Sequence, residues 1–280
     1  MAADNEIPDG ATVRRPDSRE PVDVYLLVDY DGTLVPMARS PELAAPDPEV
    51  IALLEALAAR RRLRVAIVSG RAHWNLEGWL GHLPIALWAE HGFWHRSRLG
   101  DPWEAASSVP HDWSRRIRTI VSQITASTPG SHVECKTASI AWHYRLVEPR
   151  LAARQVQVLR ERLTHELHDE PFNVLEGKKV LEVRLRGISK ALVAARIEAD
   201  LSPATSIVAM GDDRTDEELF CALPRSSVTV AVGNLPSSAR YRVADYRSVR
   251  RMLRWILEDP RIVTTHLLSG RALSPLRFPG

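Results

Sequence analysis

The 280-residue chain has two cysteines, Cys135 and Cys221. Two cannot build a disulfide framework, and Cys221 falls in a helical core pattern, so a reducing compartment, the cytoplasm, is expected. No apolar run approaches the roughly 18 residues that a membrane span needs. Residues 1–20 are polar and proline-bearing, without the apolar centre of a signal peptide. A flexible leader over 1–21 and a loosely held tail over 259–280 are expected. An excess of one charge sign is missing too: Lys+Arg is 37 against Asp+Glu 35, a net +2. That excludes the basic footprint of a nucleic-acid or membrane-surface binder. Repeats and low-complexity tracts are absent. No Gly-x-Gly-x-x-Gly follows the first apolar run, which argues against a dinucleotide site. The chain is long enough for one large or two smaller domains.

What is present begins with Leu26-Leu27-Val28-Asp29-Tyr30-Asp31-Gly32-Thr33. A buried strand ends in two carboxylates two residues apart, and their repulsion calls for a proton or a cation. A turn of Asp-Gly would explain the same letters. A second run, Ser206–Met210, also ends in acid: Gly211-Asp212-Asp213-Arg214-Thr215-Asp216-Glu217-Glu218. This concentration of carboxylates suits a hard cation such as Mg²⁺, for which one or two carboxylates from each loop suffice. Thr215 and Glu218 have capping-box spacing, so Glu217 and Glu218 are assigned to a helix start. Asp212, Asp213 and Asp216 remain as site candidates.

Between these clusters, the strand Arg64–Val68 runs into Ser69-Gly70-Arg71. A small hydroxyl and a glycine at a strand-to-helix turn can hold a phosphate oxygen, although such a serine is often only a cap. Lys190 falls in the first turn of a helix capped by Ser189, the wrong end for a cation in the helix dipole. Such a misplaced charge is a hint of function, while taken alone a plain solvated lysine is the stronger reading.

Strands near 64–68, 85–89, 206–210 and 227–232 alternate with helices, among them one opened by Asp47-Pro48-Glu49 and one through Val249, Met252, Leu253 and Ile256. The expected fold class is α/β, a parallel sheet covered by helices on both faces, with the motifs at the carboxyl ends of its strands. The middle section reads as helix, two strands, helix, two strands. Ile140, Trp142 and Tyr144 alternate with Ala141, His143 and Arg145, and Leu181, Val183 and Leu185 with Val180, Glu182 and Arg184. Its polar face is either solvent surface or, if the insert folds over the acids, the lining of a sugar-binding cleft. Trp88, Trp94, Trp103 and Trp113 are read mainly as packing.

The order Asp-x-Asp-Gly-Thr, Ser-Gly-Arg, Lys, Gly-Asp-Asp-x-x-Asp resembles the haloacid dehalogenase (HAD) superfamily of phosphatases. Ala89-Glu90-His91-Gly92 with Arg96, Lys136 with His143-Tyr144-Arg145, and Gly177–Arg184 resemble its trehalose-6-phosphate phosphatase branch. The resemblance runs from about residue 24 to about 257. Cys135 and Ala191 stand where an acid and a glycine are expected, and Leu185 replaces a proline. The resemblance implies a Rossmann-like core over 22–105 and 186–258, with an inserted α/β cap domain over 106–185. It implies that Asp29 attacks phosphorus, that Asp31 shuttles a proton, and that Ser69 and Lys190 grip the phosphoryl group. Mg²⁺ would sit on Asp29, the Asp31 carbonyl and Asp212, with Asp213 and Asp216 holding its waters or orienting Lys190. Substrate contacts are implied at Gly70, Arg71, Glu90, His91, Arg96, Lys136, His143, Arg145, Glu182 and Arg184. The expected ligand is a small sugar phosphate, trehalose 6-phosphate first, and a trehalose-phosphate synthase is an allowed partner. Two other readings stay open: a phosphatase of another sugar or pseudodisaccharide phosphate, and a non-catalytic sugar-phosphate-binding partner of a synthase.

Overall fold

A computed structural model describes residues 24–38, 41–110 and 112–260. The leader expected over 1–21 lies outside these residues, as does the expected tail beyond its first two positions. In chain order the elements are β1 (Val24–Val28), α1 (Pro48–Ala58), β2 (Leu63–Val68), α2 (His73–Leu80), β3 (Ala86–Ala89), β4 (Trp94–Arg96) and β5 (Glu104–Ala105). Then come α3 (Trp113–Ala126), β6 (His132–Cys135), β7 (Ser139–His143), α4 (Pro149–Glu166), β8 (Phe172–Gly177) and β9 (Val180–Leu185). Finally α5 (Lys190–Asp200), β10 (Ser206–Gly211), α6 (Arg214–Ala222), β11 (Val228–Val232), β12 (Tyr241–Val243) and α7 (Tyr246–Glu258).

The larger sheet has the order β12-β11-β10-β1-β2-β3-β4-β5. It is parallel from β12 through β3, and the β4 and β5 edge is antiparallel. β1 is buried along its whole length, as a central parallel strand covered on both faces must be. One face packs on α1, α2 and α7 through residues such as Leu54, Leu76 and Leu253, and the other on α5 and α6 through Val193 and Leu219. α1 opens as its sequence suggests: Asp47 accepts from the Val50 N–H and Pro48 occupies the first turn. The short edge strands β4, β5 and β12 were not legible in the sequence.

The smaller sheet is antiparallel, in the order β6-β7-β9-β8. Its apolar face, with Ile140, Trp142, Leu181 and Val183, packs on Ile117 and Val121 of α3 and Leu159 and Leu163 of α4. The register places Glu134 opposite Ala141, and Ala141 opposite Glu182, so the two acids share one row across the other face, with His143 and Arg184 in the rows to either side.

Three sequence expectations need correction. α6 begins at Arg214, and its capping box joins Asp213 to Asp216, not Thr215 to Glu218, because the extended Asp213 backbone aims its carboxylate at the Thr215 and Asp216 amides. Ser189 stands at the start of α5, but its hydroxyl makes no capping bond. Cys221 is exposed, on the part of α6 turned away from the core that Leu219 and Phe220 enter.

Candidate active site

β1 and β10 are parallel neighbours, and Val28 lies beside Met210. The two acidic loops therefore leave the sheet side by side. Asp29, Asp212 and Asp216 each place a carboxylate oxygen within 4.8 Å of the others. Lys190 comes in from the first turn of α5, and its Nζ donates to Asp29 Oδ1 at 2.6 Å and to Asp216 Oδ1 at 2.7 Å. It is 1 % exposed, so the solvated-lysine reading is overturned. Asp216 Oδ2 accepts from the Asp212 and Asp213 amides at 2.9 and 3.1 Å, which closes the loop around the lysine. Asp213 serves the helix: its Oδ1 accepts from the Thr215 amide and hydroxyl and from the Asp216 amide. Asp216 is thus bonded directly to Lys190, and Asp213 caps the turn that carries Asp216.

The electrostatics follow from crowding carboxylates around one ammonium. Burial pushes the Asp29 carboxyl up and Lys190 opposes it, while Asp212 and Asp213 add to the rise, leaving it at about 7. Burial, with Asp213 and Asp216, brings Asp212 to about 7 as well. Burial would strip the proton from Lys190, but Asp216 and Asp29 outweigh it and keep the ammonium charged. Asp212 Oδ1 is buried with no hydrogen-bond partner. A Cβ on Gly32, at φ +83°, would lie 2.4 Å from Asp212 Oδ2, so only glycine lets the first acidic loop approach the second. Oxygen-only donors, an excess of negative charge and an unpartnered carboxylate oxygen fit a hard divalent cation.

Asp31 faces another way. Arg71 Nε and Nη2 grip its two oxygens, each at 2.6 Å. Ser69 is 1 % exposed, and its Oγ accepts from the Arg71 amide at 3.1 Å. Gly70 lies under the His91 ring, where a Cβ would come within 2.6 Å of Cε1. His91 Nε2 is 3.6 Å from Glu182 Oε2. Burial first, then the charges of Arg184, Lys136 and Lys190, hold His91 well below its ordinary value, so the ring meets Glu182 as a neutral imidazole.

This contact joins the two sheets, and the polar face of the smaller one is not plain solvent surface. Glu182 and Arg184 are 9 % and 3 % exposed. Lys136 Nζ is 3.5 Å from Glu134 Oε2, and His143 Nε2 is 3.0 Å from the same oxygen. Burial raises the Glu134 carboxyl, but Lys136, the His143 hydrogen bond and Arg71 outweigh it and bring it to about 2. Arg184 lines a groove of about 570 Å³ with Asn173, Ser189 and Glu218. The Glu90 carboxylate is taken up by the turn at Thr137 and Ala138.

Two further residues implied by resemblance are, like Glu90, engaged elsewhere. Arg96 Nη1 donates to Glu77 and to the Gly81 carbonyl, at the C-terminal end of α2. Arg145 is exposed and reaches the Lys178 carbonyl. Sequence reasoning missed Glu134, although period-2 alternation puts it on the polar face two residues before Lys136. Lys178, in the β8–β9 turn, falls within the Gly177–Arg184 motif but was given no role by the sequence, and its charge acts on Asp212. Trp88 is core and Trp113 stacks on Phe172, as packing aromatics do. Among the described residues, no helix is long and apolar enough to cross a membrane.

The trehalose-phosphatase family model matches residues 27–248. A bifunctional trehalose-6-phosphate synthase/phosphatase of Thermoproteus tenax is 43% identical over 228 residues, 81% of this chain and 31% of that protein. The Dictyostelium discoideum α,α-trehalose-phosphate synthase [UDP-forming] B is 37% identical, over 79% of this chain and 28% of its own length. The chain thus spans about a third or less of the curated relatives it matches. Among solved structures, the C-terminal domain of C. albicans trehalose-6-phosphate phosphatase superposes with a TM-score of 0.76 at 26% identity, covering 86% of this chain and 94% of that one. The Aspergillus fumigatus trehalose-6-phosphate phosphatase is 32% identical with a TM-score of 0.61, at the same coverages.

Proposed function

The chain belongs to the trehalose-phosphatase family, and from that premise we propose that it hydrolyses trehalose 6-phosphate to trehalose and phosphate with the help of Mg²⁺. The observation that carries this reading is the buried Asp29–Lys190–Asp216 chain beside an unpartnered Asp212 oxygen. Repelling carboxylates are costly to hold together, and a site that only bound sugar would have no need of them. Asp29, the Asp31 carbonyl and Asp212 would hold the cation. When bound, it supplies positive charge to the carboxylates and to the phosphoryl oxygens.

The chain's own residues perform the rest. Asp29 has one oxygen fixed by Lys190 and attacks phosphorus with a carboxylate oxygen. The bond from phosphorus to the sugar oxygen breaks, and a protonated Asp31 delivers its proton to that oxygen. Arg71 must release Asp31 for this, and the incoming phosphate is a competing anion for the guanidinium. In the second step, water attacks the aspartyl-phosphate, Asp31 takes the water's proton, and the Asp29–phosphorus bond breaks. Ser69 and Lys190 hold the phosphoryl oxygens through both steps.

Residues 106–185 form the cap in this reading. Glu134, Lys136, His143 and Glu182 supply paired donors and acceptors for sugar hydroxyls, and His91 carries the contact from the core. A cytoplasmic setting fits the free cysteines. Relatives that unite synthase and phosphatase in their names favour a trehalose-phosphate synthase as a partner.

Mg²⁺-dependent phosphate release from trehalose 6-phosphate, beside glucose 6-phosphate, other sugar phosphates and an aryl phosphate, tests the proposal. Strong preference for trehalose 6-phosphate is expected. Release only from the other esters would remove the substrate and keep the chemistry. No release from any ester would favour a binding module.

A further inference from the structure

We infer that Glu90 is a positioning residue that ties the cap to the phosphate-gripping loop, and not a ligand of the sugar. This rests on the phosphatase reading for its kinetic consequences, though not for its geometry. Glu90 is 2 % exposed. Its carboxylate accepts from the Thr137 amide at 2.9 Å, the Ala138 amide at 3.2 Å and the Thr137 hydroxyl at 3.2 Å. Thr137 Oγ1 in turn accepts from Trp94 Nε1 at 2.9 Å. His73 Nδ1 approaches the same carboxylate at 3.6 Å. Glu90 Oε2 is taken by the two amides, and a sugar hydroxyl at Oε1 would compete with the Thr137 hydroxyl inside a side chain already closed off from solvent.

The backbone of the same residue is tied in the other direction. The Glu90 amide donates to the Arg71 carbonyl at 2.9 Å, and the His91 amide to the Ser69 carbonyl at 3.0 Å. One residue therefore joins the loop that carries Ser69 and Arg71 to the turn beside Lys136. Glu134, two residues before Lys136, rides on the same hairpin. The backbone is held in a sparse conformation: Glu90 and His91 have φ of +49° and +59°. Two successive non-glycine residues in the left-handed region persist only where their surroundings over-determine them. Here the main-chain bonds to Arg71 and Ser69 and the side-chain bonds to the cap do so. Loss of the tie lets the hairpin shift relative to Asp29. A displacement of about 1 Å can cost about 100-fold where the substrate is positioned by the displaced part.

The test compares wild type, Glu90→Ala, Glu90→Gln, Thr137→Val and the Glu90→Ala/Thr137→Val double variant. Each is assayed on trehalose 6-phosphate and on phenyl phosphate, which is too small to use the cap. Glu90→Ala is expected to lose about 100-fold in kcat/KM on trehalose 6-phosphate and less than about 3-fold on phenyl phosphate. Glu90→Gln, which keeps one acceptor, falls between. Thr137→Val shows a smaller loss of the same selectivity, and the double variant is no worse than Glu90→Ala. Equal losses on both esters, or additive losses in the double variant, would overturn the inference. If Glu90→Ala does not fold, the selectivity of Thr137→Val and Glu90→Gln decides. Amide hydrogen exchange gives a readout independent of turnover. The Thr137 and Ala138 amides should be protected in wild type and exchange faster in Glu90→Gln while β1 stays protected; unchanged exchange at both would contradict the tie. A wild type without activity on any ester would sink the phosphatase reading alone and leave the exchange result to judge Glu90.

Discussion

Lys190→Met offers the sharpest physical perturbation. The substitution keeps the bulk of the side chain and removes its charge from between Asp29 and Asp216, which are 6 % and 0 % exposed. Both ion pairs are short, at 2.6 and 2.7 Å, and no water reaches Lys190 to replace them, since it is 1 % exposed. Removing one partner of a buried ion pair costs about 3–5 kcal/mol, because the remaining charge is uncompensated. At about 1.4 kcal/mol per decade, the folding equilibrium should fall roughly 100- to several-thousand-fold. Urea unfolding in the presence of a chelator measures this without cation binding, and the midpoint should fall while the slope stays constant. The double variant Lys190→Met/Asp216→Asn should recover at least about 1 kcal/mol, because one stranded charge is gone. An amide oxygen at that position can still accept from the Asp212 and Asp213 amides. Turnover should stay lost in both. A cost below about 1 kcal/mol in the single variant, with no recovery in the double, would refute the claim that this lysine neutralises the buried carboxylates.

Asp31→Asn should reduce turnover of an alkyl phosphate by about 100- to 10,000-fold and of an aryl phosphate by less, since the aryl leaving oxygen is weakly basic; steady-state kinetics with both esters checks this, and equal losses would argue against a proton donor. Glu134 should make stability pH-dependent: its carboxyl has an ordinary value of 4.5 and a folded value of about 2. A depressed carboxyl stabilises above its unfolded value, and that contribution is lost as pH falls through the folded one. The stability gap between wild type and Glu134→Gln, read from urea midpoints, should therefore be full above about pH 4.5 and close towards about pH 2. The same variant should lower kcat/KM on trehalose 6-phosphate about 10- to 100-fold, with little effect on phenyl phosphate.

The core of the fold was readable because its strands are buried on both faces. Leu26–Val28 and Ile207–Met210 are unbroken apolar runs, and their abrupt acidic ends marked the site directly. Lys190 was flagged by its unfavourable place in a helix dipole, but its depth was not, since burial depends on how α5 packs against both acidic loops. The cap of α6 is ambiguous in the sequence because Thr-x-x-Glu and Asp-x-x-Asp overlap by two residues, and only backbone geometry shows that Asp213 is the extended one. β4, β5 and β12 are too short for any period to register. The polar face of the smaller sheet was ambiguous for a general reason: alternation looks the same whether that face meets water or a cleft. What decides it is the His91–Glu182 approach between the two sheets, a tertiary contact that no local pattern encodes. Glu134 is hidden because the resemblance leads one to expect the acid at position 135, while the strand register puts Glu134, one place earlier, opposite Ala141 on the polar face. The family resemblance was carried by the spacing of the motifs and is matched by the trehalose-phosphatase model over residues 27–248.

The central claim is that Asp29 carries the phosphoryl group between substrate and water. Rapid acid quench with trehalose 6-phosphate labelled in its phosphoryl group tests it most directly. The account predicts label bound to the protein early in the reaction, stable in acid, released by hydroxylamine as an acyl phosphate must be, and absent from Asp29→Asn, which should also show no turnover. Phosphate release at wild-type rates from Asp29→Asn, or label on another residue, would contradict it.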